Sequence, residues 1–230
     1  MSGIPSVWSR RRFLAAAGAG LACPSARGVT HRGDFTAGLA DWIVEQQPGG
    51  RVVTEQGRLV IEDSGGATVW YRHRLAAPLE ITYRARASSR ARVSDLNCFW
   101  MARDPRNDEP PFAPRNRRSG RFADYDSLLT YYVGYGGNGN TTTRFRRYDG
   151  TGARPLNPEH DLNDPRFLLR PDHDHRIALR VSADGEASFA CDDQTLFRFR
   201  DPAPLRAGWF AFRTVRSRLE LADFVVRAAD

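Results

Sequence analysis

The sequence predicts an all-β fold, a sandwich or jelly roll built from two antiparallel sheets. Three observations predict it. Helical periodicity is almost absent along the chain. Short segments of alternating apolar and polar residues recur, separated by Gly, Pro, Asp and Asn. No helical stretches alternate with those segments, which excludes a parallel sheet with crossover helices. Eleven strands are expected, near 59–62, 68–72, 79–87, 94–103, 128–135, 141–148, 176–181, 187–191, 195–200, 209–214 and 219–226. No internal repeat is present.

The first 26 residues stand apart from this pattern. Ser9-Arg10-Arg11-Arg12-Phe13-Leu14 precedes a short, weakly apolar run from Ala15 to Ala22. Adjacent arginines, a Phe-Leu pair and such a run form the layout of a twin-arginine export signal. The run is too short to span a bilayer as a helix. Cleavage is expected after Ala22 or Ala26, so residues 27–230 form the mature domain, destined for the periplasm or the exterior. Cys23 follows Leu21-Ala22, but Gly20 stands where a lipoprotein signal would carry a larger aliphatic residue.

Roughly 200 residues remain, enough for one domain with a sizeable core. The whole chain carries a net charge of +7. Three of those charges belong to the signal, which leaves about +4 on the mature domain. There is no lysine, so every strong base is an arginine, the side chain whose planar fork grips carboxylates. Export argues against nucleic acid as a partner and towards an acidic polysaccharide or oligosaccharide. No membrane span is expected, and the domain is taken as a monomer. Cys98 and Cys191 fall in strand segments; they either pair in an oxidising compartment or stay apart as buried thiols.

Two long connections are rich in proline, 104–125 and 150–174. The first carries Arg106, Arg115, Arg117, Arg118 and Arg121, which would repel one another without an acidic partner. It is expected to cover one end of a concave face and to order on ligand binding.

Between 128 and 149 two alternating strands flank Gly136-Gly137-Asn138-Gly139-Asn140, a hairpin turn suited to positive φ. A five-residue turn there would set Tyr132 opposite Arg144 and Tyr131 opposite Phe145. Tyr131, Val133 and Phe145 would then fill the core. Tyr132, Arg144 and Arg146 would share the other face, and a one-residue slip would exchange the two. In 94–103 Leu96, Cys98 and Trp100 read inward, and Asp95, Asn97, Phe99 and Met101 outward. In 209–214 Phe210 and Phe212 read inward, and Trp209 and Arg213 outward. An outward set of Trp, Tyr, Asn and Arg suits a sugar platform; the plain alternative is a solvated sheet face.

The stretches Ser94-Asp95-Leu96-Asn97-Cys98-Phe99-Trp100-Met101-Ala102, Tyr131-Tyr132-Val133-Gly134-Tyr135-Gly136-Gly137-Asn138, Thr141-Thr142-Thr143-Arg144-Phe145-Arg146 and Phe212-Arg213-Thr214 resemble a bacterial family of concanavalin-like jelly rolls, domain-of-unknown-function family 6250. The resemblance covers most of the mature chain. It implies a two-sheet jelly roll with a concave face and company with polysaccharide-degrading systems, and it implies no reaction. The wider concanavalin-like group holds binding modules, glucanases and lyases. The glucanase pattern Glu-x-Asp-x-x-Glu is missing, which weighs against retaining hydrolysis by two carboxylates about 5 Å apart.

Three functions are therefore expected in order: a lyase acting on uronic-acid glycans, a non-catalytic carbohydrate-binding module, and a glycoside hydrolase using Asp95 with Asp124 or Asp126. In the lyase reading Tyr132 transfers protons, Arg144 stabilises the developing charge, and His160 is a base swung over the cleft from the second long loop. Asp95, Asn97, Asn138, Asn140, Arg146, Trp209 and Arg213 would hold the sugar. No cofactor is expected beyond a structural calcium suggested by Asp34 and Asp223. The run Asp172-His173-Asp174-His175 is not read as a metal site, because neighbours in an extended chain point to opposite sides.

Overall fold

The computed structural model describes Met1, residues 29–33 and residues 35–229. The export motif, its cleavage positions and Asp34 lie outside the described residues. In chain order the strands are β1 (Val29–Gly33), β2 (Trp42–Gln46), β3 (Arg51–Glu55), β4 (Arg58–Glu62), β5 (Ala67–Tyr71) and β6 (Leu75–Ala76). Next come β7 (Leu79–Ala87), β8 (Leu96–Arg103), β9 (Leu129–Gly136), β10 (Thr142–Asp149) and β11 (Asp161–Leu162). The last five are β12 (His175–Val181), β13 (Glu186–Cys191), β14 (Gln194–Arg200), β15 (Ala207–Thr214) and β16 (Arg218–Ala228).

They form two antiparallel sheets, a jelly roll. The first runs β14-β13-β12-β7-β16-β4-β3, with β1 also on β16; the second runs β11-β10-β9-β8-β15-β5-β2, with β6 on β15. Alternation places the apolar half of each strand between the sheets. Ile81, Tyr83 and Ala85 of β7 meet Cys98 and Trp100 of β8, Tyr131 and Val133 of β9, and Phe210 and Phe212 of β15 in one core cluster.

The second sheet is also apolar on its other side. Trp70, Phe99, Tyr132, Tyr148, Trp209 and Ala211 form a second cluster there with Tyr125 and Leu128, backed by Phe112 and Phe122. These last four belong to the connection between β8 and β9. That connection therefore covers the middle of the sheet, not one end of an open face. Three of its five arginines are neutralised within the connection itself. Arg106 and Arg118 share Asp104 at 2.6 and 2.8 Å, and Arg115 pairs with Glu109 at 2.8 Å. Buried Glu45 pins it further, accepting from Trp70 Nε1, the Tyr125 hydroxyl and the Arg118 backbone N–H, each at 2.8 Å.

Two local expectations change, and one open alternative is settled. The hairpin register is shifted by two residues, so Arg146 lies opposite Tyr132, and Arg144 opposite Gly134. The cause is the turn: Gly136, Asn138, Gly139 and Asn140 all take positive φ and wind the chain into one helical turn. A shift of two keeps the faces, so Tyr131 stays in the core and Tyr132 opposite it. Met101 turns inward, because a bulge with φ 53° at this residue interrupts the alternation of β8. Cys98 and Cys191 are free, buried thiols, and burial pushes both pKa values up to about 12.

Candidate functional site, an arginine-lined cleft

At the turn end of the β9–β10 hairpin, beyond the covering connection, the outer face opens into a cleft of about 310 Å³. The hairpin supplies Tyr132, Asn138, Arg144 and Arg146. Asp95 comes from the approach to β8, where its backbone N–H bonds Gly136 O at 3.0 Å. Arg92, Arg154, Arg216 and Phe122 complete the charged and aromatic walls. Five arginines thus face a single carboxylate. Asp95 is paired with Arg92 at 2.9 Å, Arg144 with Asp161 of β11 through two bonds of 2.8 and 3.0 Å, and Arg154 with Asp126 at 3.5 Å. Arg146 and Arg216 have no ion-pair partner among the described residues. Arg146 is held instead by the carbonyl oxygens of Arg154 and Pro155. Burial lowers its pKa from the usual value, and the Arg144 and Arg154 charges add to this.

The structure brings together Asp95, Tyr132, Asn138, Arg144 and Arg146 of the expected site. It separates the others. His160 is not over the cleft: it is 5% exposed, packed on the core side of β10 against Phe145 at 4.9 Å and Phe197 at 5.8 Å. Asn140 is turned away and clasps Leu169, donating to its carbonyl and accepting from its N–H, both at 2.9 Å. Asn97 and Trp209 lie on the expected face but under the covering connection, 4% and 6% exposed. Trp209 edges instead a larger cavity of about 740 Å³ where Arg74 and Arg103 are balanced by Asp104, Asp108 and Glu109. Arg213 is fully buried on the same face. Asp223 pairs with Arg84 at 2.5 Å.

The expected proton-transfer chemistry changes too. Burial raises the Tyr132 hydroxyl pKa well above its usual value, and the lowering by Arg213 does not offset it. The ring is wedged between Phe99 and Phe122 at 5.2 and 5.5 Å, so the side chain is a floor rather than a phenolate.

A second polar cluster was not legible in sequence. His173 and His175 meet Asp192, from the β13–β14 turn, with possible ligand atoms all within 4.8 Å. Asp174 points the other way, to Arg58 and Arg86. The hydrogen bonds make this cluster a latch. The Arg170 backbone N–H donates to His175 Nε2 at 3.2 Å, so Nδ1 carries the proton and donates to Asp192 at 3.1 Å. The Arg170 guanidinium pairs with Asp192 at 2.9 Å and touches His173, placing a cation where a metal would sit.

Arg92, Arg154, Arg216 and Phe122 were missed because nothing local distinguishes them among 34 arginines and 13 phenylalanines. Only the folded sheet collects them.

The fold has solved relatives. A Bacillus subtilis protein of unknown function with a galectin-like fold superposes with a TM-score of 0.64 at 18% identity, over 82% of this chain and 90% of that one. The carbohydrate-binding module CBM66 of Bacillus subtilis gives 0.57 at 8% identity, over 83% and 97%. The exoplasmic/lumenal domain of VIP36, bound to Ca²⁺ and Man3GlcNAc, gives 0.53 at 12% identity, over 87% and 91%. No curated protein matches the chain. Residues 61–224 match the family described as a domain of unknown function, DUF6250, and the chain belongs to that family.

Proposed function

We propose that this chain is an exported domain that binds acidic glycans, and that the arginine cleft receives the carboxylates of uronic-acid units. The observation that carries the reading is the charge imbalance. Five arginines line the cleft with one carboxylate, and Arg146 and Arg216 have no ion-pair partner among the described residues. Arg144 and Arg146 are half-buried there, and crowded cations that are partly desolvated are costly unless an anion joins them. Aromatic Tyr132 beside them suits a sugar ring. The fold agrees, since two of its solved relatives are a carbohydrate-binding module and a glycan-bound lumenal domain.

Binding is favoured over elimination. A lyase needs a base and a charge-stabilising group beside the sugar, and the three residues expected to carry that chemistry are engaged elsewhere. Tyr132 has a raised pKa, Arg144 is tied to Asp161, and His160 is on the core side. A hydrolase is disfavoured as well: Asp95 bonds Arg92 and Ser94, Asp124 accepts from the Ser119 N–H and hydroxyl, and Asp126 is paired with Arg154.

The test is affinity electrophoresis of the mature domain in pectate, alginate and glucuronan, against fully methyl-esterified pectin. Retardation by at least one carboxylated polymer, with no growth of unsaturated-uronate absorbance, is expected. Equal retardation by the esterified polymer would overturn the reading, and growing absorbance would make the protein a lyase. Export rests on Arg10 and Arg11. Changing both to Lys should leave the precursor in the cytoplasm, and undiminished secretion would refute the signal.

A further inference from the structure

One guanidinium on the cleft side of the second sheet is only half bonded. Arg213 of β15 is fully buried, and its Nη1 donates to Thr68 Oγ1 and to Gly120 O, each at 2.8 Å. Its Nε and Nη2 have no hydrogen-bond partner, and the residue has no ion pair among the described residues. Those two nitrogens form the side-on edge of the fork, the edge that meets both oxygens of a carboxylate. The chain uses this edge repeatedly. Arg144 grips Asp161 with it at 2.8 and 3.0 Å, Arg106 grips Asp104 at 2.8 and 2.6 Å, and Arg166 grips Asp164 at 3.0 and 3.0 Å. Arg213 presents the same edge with no protein carboxylate on it, in an interior where an unbonded charged donor is costly.

Two aromatic rings lie against this guanidinium. The Phe122 and Tyr125 rings lie 5.1 and 5.0 Å from its central carbon. Phe122 also lines the arginine cleft, and its ring carries Arg154 at 5.3 Å. One aromatic ring, in the single 3-10 turn Phe122–Tyr125, therefore bridges the buried arginine and the cleft. Asn97, opposite Arg213 across the β8–β15 pairing, also has a buried oxygen without a partner. Two of the orphaned polar groups thus stand opposite each other on the same face of the sheet.

We infer that Arg213 forms a buried carboxylate subsite, reached from the cleft when Phe122 swings aside, and that it takes the carboxyl group of one uronic-acid unit side-on. This deepens the proposed function and rests on it. The cleft arginines would attract the anionic chain, and Arg213 would fix one carboxylate in a defined orientation.

The test is nitrogen-15 NMR of the arginine Nε–H groups in the wild-type mature protein, titrated with the trimers of galacturonate, mannuronate and glucuronate and with their methyl esters. The Arg213 Nε–H resonance should move saturably with at least one acid trimer, in step with Arg146 and Arg216, and stay still with its ester. Movement of Arg146 or Arg216 with Arg213 unmoved would overturn this inference and leave acidic-glycan binding standing. No movement at any of the three would overturn both. Phe122→Ala supplies an independent reading. Where a lid must open, the apparent dissociation constant is the intrinsic one divided by the open fraction, so removing the lid should tighten binding by on the order of tenfold. Unchanged or weaker affinity would overturn the gating.

Discussion

The outer faces of the two sheets are both studded with arginine, and they treat it in opposite ways. On the first sheet most of the arginines are matched to acids. Arg58 and Arg86 share Asp174 at 3.1 and 2.9 Å, Arg180 meets Glu80 at 3.0 Å, Arg198 meets Glu186 at 2.7 Å, and Arg84 meets Asp223 at 2.5 Å. Several of these are neighbours across the ladder, as with Arg180 and Glu80, which stand directly opposite. Around the second sheet, Arg146 and Arg216 at the cleft and Arg213 buried on the same face have no ion pair among the described residues. In a chain whose every strong base is arginine, the residue type says little. The informative property is whether a partner is built in. A matched face is a solvated surface; an unmatched and partly buried one awaits an anion.

The comparison can be broken most severely by unmatching a buried pair. Asp104 is 2% exposed and holds both Arg106 and Arg118, so burial, which would raise its pKa, is overcome and its carboxyl stays below the usual range. Asp104→Asn should strand the buried Arg118 charge and cost roughly 3–5 kcal/mol. Chemical denaturation would show it, together with new proteolytic cleavage in residues 104–128. A variant as stable as the parent would mean that matching is not what holds the covering connection.

The next effect separates the faces directly. Arg146→Ala should weaken acidic-glycan binding by about 1–3 kcal/mol and leave stability nearly unchanged, since the side chain has no carboxylate to abandon. Arg180→Ala on the first sheet should leave glycan affinity within about 0.5 kcal/mol of the parent, because exposed pairs contribute little. Equal losses of affinity in the two variants would mean that binding is a general charge effect.

Acid should act on the matched side. Burial pushes the Asp174 carboxyl up, but the bonds from Arg58 and Arg86 outweigh it and leave the pKa lowered to about 2. A folded pKa below the unfolded value gives stability that is present above about pH 4 and lost as the pH falls towards 2. About 1–2 kcal/mol should disappear over that window, allowing for partial screening. Asp174→Asn should flatten that part of the stability profile, and an unchanged slope would contradict the assignment. The smallest effect is expected at Tyr132. Tyr132→Phe keeps the buried ring and should change glycan affinity by less than about 0.5 kcal/mol, measured by calorimetry. A large loss of turnover on any acidic polymer would restore the lyase reading.

Strand positions and faces were legible because period-2 alternation is a local signal. Each of the eleven expected segments contains a strand, and β7 has the expected limits. Missed were β1 to β3 and the two-residue β6 and β11, where the pattern is short or, in β2, interrupted by the buried Glu45. Exposure was not legible. Tyr132, Trp209 and Arg213 face away from the core as expected, but Phe112, Phe122, Tyr125 and Leu128 cover that face from an irregular connection whose apolar residues have no period. The hairpin register failed for a related reason: four positive-φ residues in the turn displace the pairing by two, which no alternation reveals. The candidate site was half visible, since the hairpin carried its own arginines while Arg92, Arg154 and Arg216 arrive from distant turns.

The central claim is that unmatched arginines, and not arginines in general, bind the ligand. The most direct measurement is calorimetric titration of the galacturonate, mannuronate and glucuronate trimers into three proteins: the parent, an Arg146→Ala/Arg216→Ala variant and an Arg180→Ala/Arg198→Ala variant. The parent should bind at least one trimer saturably, and the cleft variant about tenfold or more weakly. The first-sheet variant should bind like the parent. Equal affinity in all three proteins, or equal weakening in both variants, would contradict it.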